Sequence, residues 1–210
     1  MNKNRFFLVI IISMFLLTSL SLKSQSPCPT GWSQQTYTLT INGCDYSVTI
    51  CYKCSTGGGQ IKLWTWQQVD PNCIQTWDET EVLNNTGGIW DQITDPMFLT
   101  YDIPCGTCGP CDLGQGFTWD EEFQICWEKM WIDGRVWWVH CDLSDCFCLE
   151  SYSLCWDNGT YVKTLVFGPE IECGLGHEYE SVCPNSYIPP DPTENNPISP
   201  CFSIPTPCNP

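Results

Sequence analysis

The chain has 210 residues, among them 17 cysteines, 11 tryptophans, 24 acids and eight bases, for a net charge of −16. So acidic a chain repels nucleic acid and anionic membrane surfaces, which excludes both as partners and leaves cationic groups, neutral ligands and weakly held divalent ions. The cysteine density excludes a reducing compartment, because disulfides form and persist only under oxidising conditions.

The N-terminus reads as a secretory signal. Lys3 and Arg5 supply positive charge, residues 6–22 form an apolar stretch, and Lys23 and Ser24 close it. Cleavage is expected near Ser24–Gln25, giving a signal peptide over 1–24 and no membrane insertion of the product. Cys28 follows no lipobox-like run, so no lipid anchor is expected. Beyond the signal, five basic residues face 24 acids, a net charge of −19. The expected location is secreted or cell-surface. Residues 25–183 are read as one disulfide-rich β domain and residues 184–210 as a proline-rich extended tail.

In chain order, the first element is a hairpin over residues 35–52. Asn42-Gly43 is the preferred two-residue type I′ turn, and it sets Ile41 opposite Cys44, Leu39 opposite Tyr46 and Tyr37 opposite Val48. Apolar and threonine-rich faces then alternate with period two. A strand is expected over 60–69, preceded by a turn at Gly57-Gly58-Gly59. Residues 76–84 carry a helix signal, with Thr76 and Glu79 as a capping box. Gly87-Gly88 marks a turn, 97–103 reads as a strand, and the glycine-rich region 106–116 reads as loop.

Residues 118–141 support two readings. Trp119, Phe123, Cys126, Trp127, Met130 and Trp131 share one helical face, with Thr118 and Glu121 as a capping box. Alternatively, Asp133-Gly134 turns a hairpin that sets Cys126 opposite Cys141 within bridging distance. The density of Trp, Ile and Val tips the choice to the hairpin. A further hairpin is expected over 152–166 around Asn158-Gly159, pairing Trp156 with Tyr161 and Leu154 with Lys163. Nine prolines in the last 27 residues exclude helix and central strand from the tail.

Seventeen is odd, so one thiol is left over if all others pair within the chain. The tail holds Cys201 and Cys208, and an extended arm reaches a neighbouring molecule. These two are the candidates for an intermolecular bridge and a disulfide-linked oligomer; the equal alternative is a tail stapled to its own domain with the free thiol elsewhere.

Several motifs invite a chemical reading. Cys108-Gly109-Pro110-Cys111 matches the active-site tetrapeptide of the thioredoxin family. The surroundings depart from that pattern: no tryptophan precedes Cys108, glycines break the sequence that follows, and no βαβ unit is present. The Cys105, Cys108, Cys111 spacing and Cys51-x2-Cys54 suit thiolate ligation, but structural zinc wants two separated pairs, and His140 and His177 have no metal-like spacing. The clusters Asp120-Glu121-Glu122 and Asp78, Glu79, Glu81 contain neighbours in sequence, not a carboxylate pair spanning a cleft. No catalytic residue, metal or cofactor is assigned. Trp64 and Trp66 alternate onto one face of the expected strand at 60–69 and are the candidate ligand-binding residues, as stacking platforms for sugar rings or anchors for a protein.

The sequence thus predicts a mainly β protein, antiparallel hairpins forming a disulfide-rich sandwich or meander with one or two short helices. The expected role is non-enzymatic: structural, adhesive or surface-associated, with an extracellular protein or a glycan as partner. The alternatives are a carbohydrate-binding module, and a secreted enzyme acting by thiol–disulfide exchange or glycan hydrolysis.

Overall fold

The structure, a computed structural model, describes residues 28–106, 108–114, 116–141, 146–173, 183 and 185–208. The expected signal peptide over 1–24 and His177 lie outside the described residues.

Strands β1 (Ser33–Ile41) and β2 (Cys44–Ser55) form the expected first hairpin, with Ile41 opposite Cys44, Leu39 opposite Tyr46 and Tyr37 opposite Val48. Asn42 and Gly43 take φ of 47° and 83°, the double positive φ of a type I′ turn. Strand β3 (Gly58–Gln68) returns antiparallel to β2. Its other edge is shared. Residues Gly58 to Lys62 pair in parallel with β4 (Phe117–Gln124), and Thr65 and Trp66 pair antiparallel with β6 (Arg135–His140). One arm of the sheet continues from β4 to β7 (Phe147–Asp157) and β8 (Thr160–Glu172). The other continues from β6 to β5 (Cys126–Ile132) and the short β9 (Phe202–Ser203).

The glycine run serves this junction. Gly57 turns the chain with φ of 77°, but Gly58 and Gly59 lie inside β3 because β4 comes close. A Cβ on Gly58 would stand 2.7 Å from the Thr118 carbonyl oxygen, and one on Gly59 would stand 2.6 Å from the Trp119 ring. The fold is therefore mainly β and disulfide-rich as expected, but it is one mixed sheet with a parallel pair and a helical layer.

Three short helices form that layer: α1 (Glu79–Asn84), α2 (Ile89–Ile93) and α3 (Pro96–Tyr101). Val82, Leu83, Ile89, Trp90, Ile93 and Leu99 are buried in one cluster with Val48, Ile50, Leu63, Trp119 and Phe123 of the sheet. Each such side chain contributes roughly 1.5–3 kcal/mol by leaving water. Two expectations are corrected here. Residues 97–103 are not a strand, because Asp95 caps a helix whose first position is Pro96. The capping box of α1 is Asp78 with Glu81, not Thr76 with Glu79; the Thr76 hydroxyl instead accepts from the Asn42 amide at the hairpin tip.

Residues 118–141 take the hairpin reading. Ile125 separates β4 from β5, and Asp133-Gly134, both at positive φ, turns β5 into β6 with Trp127 opposite His140. The second expected hairpin also forms, with Trp156 opposite Tyr161 and Leu154 opposite Lys163.

Eight disulfides pair Cys28–Cys51, Cys44–Cys73, Cys54–Cys105, Cys111–Cys155, Cys126–Cys183, Cys141–Cys201, Cys146–Cys173 and Cys148–Cys208. Each contributes about 2–4 kcal/mol, chiefly by restricting the unfolded chain. Cys126 and Cys141 do lie opposite each other, with the Cys141 N–H donating to the Cys126 carbonyl at 3.3 Å. They do not bond to each other, however: each takes a partner from the C-terminal segment, Cys183 and Cys201. Cys201 and Cys208, expected as intermolecular thiols, both bond within the chain. The proline-rich tail is thus stapled onto its own domain, with Phe202 and Ile204 in the core. The unpaired cysteine is Cys108.

Candidate functional site

A cleft of about 510 Å³ lies at the Gln68 end of β3. Tyr46 of β2, Trp66 of β3 and Trp138 of β6 line it, with Trp66 stacked on Trp138 at a centroid distance of 4.9 Å and tilted against Tyr46 at 5.8 Å. Trp77 and Trp131, both partly exposed, also line it. Five aromatic rings therefore surround one space.

Each element reaches the cleft for an identifiable reason. The segment between β3 and α1 carries Gln75, Trp77 and Asp78 there, and Cys44–Cys73 ties that segment to the hairpin tip. Gln75 fixes its path by donating to the Ile41 carbonyl and the Tyr46 hydroxyl. The Asp133-Gly134 turn presents Trp131 and Arg135. The tail delivers Asp191, because residues Pro197 and Ser199 hydrogen-bond to the backbone of Trp131 and Lys129.

Beside the cleft lies a charged knot. The Lys129 ammonium, 3% exposed at its side chain, donates to Glu79 at 2.8 Å and to Asp191 at 2.7 Å, and it stands 5.2 Å from the Trp138 ring centre. Glu79 also accepts from the Trp138 indole N–H at 3.2 Å. Burial pushes the Glu79 carboxyl above its usual range, and the Lys129 ammonium opposes the rise. Two buried polar atoms on cleft-lining residues lack a protein partner: the Trp66 indole N–H, on a residue 3% exposed, and the Gln67 side-chain oxygen, on a residue 6% exposed. The indole N–H only donates and wants an acceptor, while the amide oxygen wants a donor.

Trp64 lies elsewhere. Thr49 pairs with Thr65 while Ile50 pairs with Leu63, so Trp64 is the extra residue of a β-bulge, and the alternation that placed it beside Trp66 is broken. It stacks on His140 at 5.1 Å, in a second cleft of about 420 Å³. There Lys62 sits 4.0 Å over the Trp32 ring and 2.8 Å from Glu122. The two tryptophans singled out from the sequence thus serve separate clefts. Trp77, Trp131, Trp138 and Asp191 were not singled out. The capping box beside Trp77 and the Asp133-Gly134 turn beside Trp131 were the only sequence signals near them.

The cysteines of the thioredoxin-like tetrapeptide are divided. Cys111 is bonded to Cys155, and Cys108 stands alone with a thiol that burial pushes above its usual range. The acids at 120–122 are also placed in ways the sequence did not reveal. Glu121, 1% exposed, points into the core and pairs with Lys163, while Glu122 pairs with Lys62.

No protein-family model, no curated protein and no solved structure matches this chain. Eight disulfides, and among the described residues no helix long and apolar enough to cross a membrane, fit a stabilised extracellular protein.

Proposed function

We propose that the protein is an exported, surface-associated adhesive module that acts by holding a saccharide in the Trp66 cleft rather than by transforming it. The carrying observation is the ring set of Tyr46, Trp66, Trp77, Trp131 and Trp138 around one open space with amide and carboxylate side chains at its rim. Sugar rings offer an apolar face to stack on aromatic surfaces and hydroxyls to exchange with polar ones. Trp77 and Trp131, partly exposed, are the stacking walls, and Trp66 and Trp138 form the floor.

Binding without turnover is favoured because the obvious reactive groups are committed. Glu79 and Asp191 share Lys129, and Cys111 is held by Cys155. An extracellular glycan also suits the charge: a neutral polymer is not repelled by a chain with a net −19 beyond its signal.

The test is retention on an immobilised panel of neutral, amino and acidic glycans. The wild-type protein should be retained on at least one neutral or amino glycan, and Trp77→Ala with Trp131→Ala should weaken that binding more than about tenfold, or roughly 1.4 kcal/mol. Retention on none of the panel, or an unchanged affinity in the double variant, would sink the reading.

A further inference from the structure

Resting on the saccharide reading, we infer that the Trp66 cleft selects glycans bearing free amino groups, such as de-N-acetylated hexosamine, over N-acetylated or uronic ones. Three carboxylates border the cleft, Asp78, Glu79 and Asp191. Lys129 spends its charge on Glu79 and Asp191. Asp78 uses one oxygen, Oδ1, to accept from the Glu81 N–H as the cap of α1, and among the described residues no cation pairs with it. Arg135 lines the cleft too and, like Asp78, is exposed, so solvent screens both. Counting Lys129 and Arg135 against the three acids leaves the site with one net negative charge.

The rest of the molecule reinforces that sign. Five basic residues follow the signal, and three of them, Lys62, Lys129 and Lys163, are bonded to carboxylates. The outer field is therefore that of the unpaired acids, and it repels uronate or sulfate. Aromatic faces attract ammonium groups as well, as the Lys129 ammonium over the Trp138 ring already illustrates.

The unpartnered Trp66 indole N–H supplies the second half of the argument. It asks for an acceptor, which an ammonium cannot be and a sugar hydroxyl or ring oxygen can. A ligand presenting an oxygen to the floor and an ammonium to the acidic rim meets both demands, and an amino sugar carries both groups on one ring.

Titration calorimetry on the full secreted protein, with glucosamine, N-acetylglucosamine and galacturonic acid tetramers, decides the matter. The glucosamine tetramer should bind about tenfold tighter than the N-acetylated one, with that advantage shrinking as salt rises, and the uronic tetramer should not bind. Asp78→Asn keeps the helix cap, because asparagine caps as well as aspartate. It changes the net charge by one in 19, so a purely global attraction would survive it. The variant should bring the amino advantage below about threefold. Equal or tighter binding of the N-acetylated tetramer, or an advantage intact in Asp78→Asn, overturns this inference and leaves the saccharide reading standing. Binding of none of the three also overturns this inference, while only retention on none of the wider glycan panel overturns the reading it rests on.

Discussion

Glu121 sits among apolar side chains on the core face of β4, between Trp119 and Phe123, with Lys163 reaching it from β8. Lys163 also donates to the Thr94 carbonyl at the end of α2, so the pair ties the edge of the sheet to the helical layer. Burial outweighs the lysine, and with Glu150 adding to the rise the Glu121 carboxyl is pushed up to about 7. Glu79 and Glu122 are raised in the same direction, again chiefly by burial. A carboxyl with a raised pKa in the folded state binds its proton more tightly there than in the unfolded chain. Its contribution is fully present below the unfolded value and is lost as pH rises through the folded one. Stability should therefore be greater at pH 5 than at pH 8, by on the order of 1–3 kcal/mol. Glu121→Gln should flatten that slope. Urea unfolding of both proteins across this range checks it, and a wild-type curve that rises toward pH 8 would contradict it.

At the scale of elements, the hairpins were the legible part. An Asn-Gly or Asp-Gly pair between alternating runs states both the turn and the register, and all three such turns form as expected at Asn42, Asp133 and Asn158. Gly43→Val places a β-branched residue at φ of 83° and should cost more than about 1 kcal/mol. A melting temperature unchanged within error would mean the turn tolerates what its geometry forbids. The misses were of two kinds, one local signal passed over and the rest choices settled by distant contacts. Residues 97–103 alternate well enough for a strand, yet Asp95-Pro96 was a helix start in plain view. Thr76 was read as the cap of α1, but the tip of the first hairpin engages its hydroxyl and Asp78 caps the helix instead. The bulge at Trp64 depends on how β2 and β6 both pair with β3, and no local pattern encodes that.

The cleft illustrates the same limit for the whole molecule. Trp66 was legible as a candidate, but its neighbours come from segments as far apart as Tyr46 and Asp191, and disulfides to Cys73, Cys183 and Cys201 hold those segments in place. Cysteine spacing alone leaves such connectivity open. The odd count was read correctly as one thiol left over, but that thiol is Cys108 on the domain and not a cysteine of the tail.

The disulfide pattern also divides the molecule in a way its sheet conceals. Three bridges, Cys28–Cys51, Cys44–Cys73 and Cys54–Cys105, close among themselves, and the other five all lie between Cys111 and Cys208. No bridge spans the stretch from Cys105 to Cys111. The protein is two separately knotted halves whose sole covalent link is one short run of main chain; packing, the pairing of β3 with β4 and β6, and ion pairs such as Lys62–Glu122 and Lys129–Glu79 hold them together without a bond. A single cut by an inserted protease site within 106–110 should release two fragments on a denaturing, non-reducing gel. The same site at Asn158-Gly159 should leave one band, because several bridges span it. A single band in both cases would mean that a link between the halves exists after all. If two bands appear, this short run is where the molecule comes apart when an extracellular protease finds it.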